Sequence, residues 1–125
     1  MINEVQKLQF ELMKIATFNS FDGKEVVKDL EDNQDLWTGA IMKRNDLIPL
    51  RDIHDNYWNV DTLYILASDK DNSRLELLAR SWSADEVDWL SQKDLEGHCE
   101  KCYSNNTSIG SYPADKYKVL RVWWD

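Results

Sequence analysis

The chain has 125 residues, a net charge of -8 and a hydrophobic fraction of 42%, enough for one packed domain that needs neither a disulfide nor a metal to fold. The acidic balance argues against non-specific nucleic-acid binding, which needs Lys and Arg against phosphate, and the longest apolar run, Leu63–Ala67, is too short to span a membrane. Asn3 and Glu4 stand where a secretory signal would be basic, so the expectation is a cytoplasmic protein with two reduced thiols and no cofactor.

Residues 2–18 carry the clearest helical periodicity. Ile2, Val5, Leu8, Leu12, Ile15 and Ala16 recur at helical spacing and are expected to form the buried stripe. Phe10 and Met13 widen the apolar arc, which implies packing against more than one element. A second helix is expected from Asp22, where Asp22 and Glu25 have capping-box spacing, Phe21 can staple onto Val26, and Val26, Val27 and Leu30 face inward. Residues 34–44 read as a third helix from the dipole-compatible Asp35 and Lys43-Arg44, with a strand as the alternative because of Thr38 and Gly39.

Residues 45–60 read as irregular around Pro49. The run TLYILA at 62–67 is the best strand and a central one. Ser73 and Glu76 form another capping box, opening a helix with Leu75, Leu78 and Ala79 inward. Glu86–Leu90 is expected to be a strand parallel to TLYILA, and a helix over 84–96 starting at Ser83 competes. Residues 97–115 read as a polar loop, and 117–124 (YKVLRVWW) as a final strand with apolar groups on both faces, hence an inner one. The expected class is α+β or α/β: a single domain over 1–125, with N-terminal helices packed on a small mixed sheet that contains a β-α-β unit and a C-terminal strand.

No catalytic constellation emerges. Each of the six Trp has an Asp within three positions, and aromatic faces beside carboxylates suit cationic partners. The segment Asp55–Asp61 concentrates the pattern: Asp55, Tyr57, Trp58 and Asp61 form a candidate patch for a protein partner of basic character, although Trp58 could instead anchor the loop to the core. Trp123–Asp125 is a lesser candidate, for a partner or for a symmetric interface.

The alternative is a small enzyme or ligand-binding protein. Ser68, Asp69, Lys70 and Asp71 follow the TLYILA strand, where open α/β sheets place their ligands, and could line a carboxylate site. The same run is also ordinary turn and helix-cap chemistry. His98, Cys99 and Cys102 have the one zinc-like spacing, but a closed site needs a fourth ligand, and adjacent His98 and Cys99 rarely share an ion. His54-Asp55 lacks the further His ligands of a metal-dependent phosphohydrolase.

Overall fold

The structure, a computed structural model, describes residues 2–43, 50–58, 60–68, 70–91 and 118–125. Helix α1 (Glu4–Ile15) is followed by a hairpin of β1 (Thr17–Phe18) and β2 (Phe21–Asp22), then by α2 (Gly23–Asp32) and a 3-10 turn over Gln34–Leu36. Strand β3 (Trp37–Lys43), the short helix α3 (Leu50–His54), β4 (Thr62–Ala67), α4 (Asn72–Arg80), β5 (Glu86–Trp89) and β6 (Val119–Trp123) complete the described elements. The class is α+β.

The main sheet has the order β3-β4-β6-β5, and each neighbouring pair is antiparallel. Strands β4 and β5 do run in the same direction, as expected of a β-α-β unit, but β6 inserts between them. The sheet expected to be mixed therefore contains antiparallel pairs alone among the described residues. This insertion is why β6 needs apolar groups on both faces. Leu120, Val122 and Trp124 enter the main core, while Val119 joins Tyr64, Leu66 and Leu90 in a smaller cluster on the other face. On that second face Arg121 donates to Glu86 (3.0 Å) and Asp88 (3.1 Å) on edge strand β5. Burial lowers the Arg121 pKa, but those two bonds outweigh it and hold the guanidinium above its ordinary value.

Several local rules explain the elements. Asn3 caps α1 by accepting from the Gln6 N–H, and Asp22 caps α2 by accepting from the Glu25 N–H. Asn19, in the two-residue turn between β1 and β2, adopts a left-handed conformation (φ 48°) suited to such a turn. Residues 37–43 form a strand and not the expected helix. Ala40 and Met42 alternate inward with exposed Ile41 between them, and the whole segment finds a partner in β4. Helix α4 starts at Asn72, with Asp71 as its cap accepting from the Arg74 N–H, so the expected Ser73–Glu76 box is not the cap. Ser83 has φ 58°, a left-handed conformation unlike the extended backbone of an N-cap, and the segment after it is β5.

The largest departure concerns α1. Its buried residues are Gln6, Phe10 and Met13, whereas Val5, Leu8 and Ile15 are 72%, 61% and 51% exposed. Those three residues of the expected stripe lie roughly 150° around the helix from the side that packs, at 100° per residue, whereas Ala16 and Ile2 of the same stripe do reach the core. Tertiary contacts decide the rotation. Gln6 pairs with the backbone of Ala40, Phe10 sits edge-on against Trp37 (centroids 5.6 Å), and Gly23 of α2 lies so close to the Met13 carbonyl that no side chain fits there.

Candidate functional site

The rotation of α1 leaves an apolar face without a partner among the described residues. Among the described residues, six of the eight exposed large apolar ones lie on α1, on α3 or just after it: Val5, Leu8, Ile15, Leu50, Ile53 and Tyr57. Burying side chains of this kind is worth about 1.5–3 kcal/mol each, so the stripe of Val5, Leu8 and Ile15 on one side of α1, with Ile53 and Tyr57 meeting Ile15, marks a contact surface more readily than scattered single residues would.

A cleft of about 120 Å³ lies where α1 meets the segment after α3, lined by Leu12, Ile15, Ile53, Asn56, Tyr57 and Trp58. The local sequence builds its wall. Helix α3 ends after one turn at Asn56, which takes a left-handed conformation (φ 59°) and donates its N–H to the Ile53 carbonyl (3.1 Å). The Tyr57 N–H donates to the Asp52 carbonyl (2.7 Å), which turns Tyr57 and Trp58 back toward α1. Tyr57 remains 43% exposed. Trp58 is half-buried and packs against the main core, and its indole N–H is buried without an acceptor among the described residues. Trp58 therefore anchors the loop to the core, the second role weighed for it, and also lines the cleft.

Of the carboxylates in this segment, Asp55 is exposed beside the cleft. Asp61 is half-buried and engaged internally: its carboxylate accepts from the Thr62 hydroxyl (2.8 Å) and its carbonyl from the Trp124 N–H (3.1 Å). Along α1, Glu4 and Glu11 stand exposed on the solvent side of the Val5–Ile15 stripe, with Glu11 in a 3.3 Å pair with Lys14. An exposed pair of this kind is worth at most about 1 kcal/mol and is readily exchanged for another cation.

Trp37, Trp82 and Trp124 are buried in the core. Trp124 is fully buried, edge-on to Phe21 (4.6 Å), and its indole N–H donates to the Trp82 carbonyl (3.0 Å). The last residue, Asp125, is tied to Asn19 and Asp85. Trp124 is thus core and no part of an outward surface at Trp123–Asp125, while Trp123 stays half-buried on the second sheet face near Arg121. Two indole N–H groups do reach carboxylates: Trp82 donates to Asp29 and Trp89 to Glu76, both at 2.8 Å. Those carboxylates come from α2 and α4, not from the Asp neighbours in sequence.

At the alternative site, the described residues Ser68, Lys70 and Asp71 take part in turn and cap hydrogen bonds. The Ser68 hydroxyl donates to the Asp35 carbonyl (2.5 Å) and accepts from the Lys70 N–H (3.4 Å), while Asp71 caps α4. A neighbouring cavity of about 210 Å³ is lined, among the described residues, by Asn72, Trp89, Leu90 and Lys118. Asp69, His98, Cys99 and Cys102 lie outside the described residues. Among the described residues no group of three His, Cys, Asp or Glu side chains could hold a metal ion, and no helix is long and apolar enough to cross a membrane.

No protein-family model, curated protein or solved structure matches the chain.

Proposed function

We propose that the chain is a non-catalytic, cytoplasmic protein-interaction module whose α1 face and adjoining cleft receive a protein partner of basic character. The observation that carries this reading is the exposure of Val5, Leu8 and Ile15 on a helix whose other side is fully engaged. An apolar seam next to a cleft with a half-exposed Tyr and a supporting Trp supplies the anchors of a protein interface. Partner charge follows from the chain's net -8, with Glu4 and Glu11 flanking the seam and Asp55 exposed next to Asn56 of the cleft, while Lys7 and Lys14 lie further round α1 beyond the glutamates. Such a field steers cationic partners and repels acidic ones.

The test is a photo-reactive phenylalanine analogue at Leu8 in living cells, with the same analogue at Leu77, exposed on α4, as the control. Support would be a protein adduct specific to position 8 whose partner associates more slowly with the purified chain as ionic strength rises. Equal adducts at both positions, or association indifferent to salt, would contradict the reading.

A further inference from the structure

Granting that the α1 face meets a protein partner, we infer that the partner docks there as a basic amphipathic α-helix, laid along α1 in coiled-coil fashion. The spacing of the exposed residues carries this. Val5, Leu8, Leu12 and Ile15 follow one another at three, four and three positions, the alternation of a and d sites in a heptad repeat. Leu12 is half-buried at the cleft and the other three are open to solvent. A strict a/d stripe is a narrow seam, suited to one helix lying nearly parallel and too narrow to seat a globular surface. With 12 residues, α1 offers about 18 Å of seam, close to three turns of a partner helix.

The cleft at the C-terminal end of α1 sets the docking further. Leu12 and Ile15 form one wall and Ile53 and Tyr57 another, so one large apolar side chain of the docked helix enters there while the preceding turns cover Leu8 and Val5. In heptad terms Glu4 and Glu11 both occupy g positions, the sites that choose partners by charge. Two glutamates there favour lysine or arginine on the facing helix, which competes with Lys14 for Glu11. A second copy of this chain is disfavoured by its own charge of -8, and in an antiparallel pair by glutamate facing glutamate at the g positions.

The experiment titrates the isotope-labelled full chain with a synthetic peptide that has leucine at a and d and lysine at e and g, followed by nuclear magnetic resonance. Two companion peptides carry glutamate at e and g, or prolines that break the helix. The expected result is shifts confined to α1 and residues 53–58, binding of the lysine helix at least about tenfold tighter than either companion, and a loss of about tenfold or more in Leu8→Glu but not in Leu77→Glu. Thermal melts of both variants confirm that they remain folded. Equal binding of the proline peptide at the same face overturns the helix while leaving the interaction surface standing, and equal binding of the glutamate peptide overturns the charge selection. Self-association through α1 overturns the foreign partner. Absence of any shift on α1 overturns the helix, and with no adduct at Leu8 the broader reading falls too.

Discussion

Gln6 and Ala40 are joined by a reciprocal pair of hydrogen bonds. The Gln6 carboxamide donates to the Ala40 carbonyl (2.7 Å) and accepts from the Ala40 N–H (2.8 Å). Ala40 lies on β3, an edge of the four-stranded sheet, so the side chain takes the place of a missing neighbouring strand and blunts that edge against pairing with another chain. The pair also fixes which side of α1 faces inward. Rotating the helix to bury Val5 and Leu8 would orphan both backbone groups beneath it, at about 1–3 kcal/mol each, and would expose Phe10 and Met13. Replacing Gln6 by Leu keeps the volume roughly constant and leaves the two Ala40 groups unmet. A loss of about 2–4 kcal/mol in urea unfolding is expected. A loss below about 0.5 kcal/mol would show that water satisfies Ala40 instead.

Gly23 opens α2 where it crosses α1, and an added Cβ would overlap the Met13 carbonyl oxygen. Because that contact is with backbone and not with a flexible side-chain end, Gly23→Ala must push the two helices apart. Destabilisation of about 3 kcal/mol is expected, despite the gain in helix propensity that Ala normally brings. A thermal melt unchanged from the parent would contradict the close approach.

Substitutions at two tryptophans are expected to differ in cost. Trp124→Ala opens a cavity against Phe21 and strands the Trp82 carbonyl, so a cost of about 3–5 kcal/mol is expected. Trp58→Phe removes a buried indole N–H that has no acceptor among the described residues and retains much of the ring, so its cost should stay under about 1 kcal/mol. Denaturant titrations of both variants check the contrast. A large cost at Trp58 would assign it wholly to the core.

Leu8 is 61% exposed, so Leu8→Glu should change stability by no more than about 0.5 kcal/mol while abolishing capture of the partner proposed above. Measuring melting temperature and partner binding on the same preparation separates the two effects. Loss of both together would place Leu8 inside the fold.

Local rules made much of the fold legible. The strand at 62–67 was readable to its last residue because Thr62, Tyr64 and Ile65 favour extended backbone and a continuous apolar run this short suits a buried strand better than a helix. The Asp22 cap was likewise readable, since its acceptor lies three residues from the N–H that it satisfies. The third helix expected over 34–44 failed because its evidence was terminal charge, worth tenths of a kcal/mol, against a full ladder of backbone bonds to β4. Tyr57 and Trp58, singled out from residue type alone, do line the cleft. The α1 side of the cleft was missed because Leu12 and Ile15 look like core residues in any one-dimensional reading. Gln6, Phe10 and Met13 do form an i, i+4, i+7 set, but a polar residue at its head hid it.

What the sequence by itself determined was the inventory: an acidic domain, a helical N-terminus, an inner TLYILA strand and a closing strand with two apolar faces. Each follows from short-range periodicity, which depends on residues that are neighbours in the chain. What only the tertiary structure decided was which of two apolar arcs on α1 would be buried, and where β6 would enter the sheet. Both turn on partners far away in sequence: Ala40 lies 34 residues from Gln6, and β6 pairs with β4 through Leu63 and Val122. A helix with apolar residues on two sides can bury only what its neighbours can receive. Here the neighbour was an edge strand with unmet hydrogen bonds, and a glutamine met them where a leucine could not.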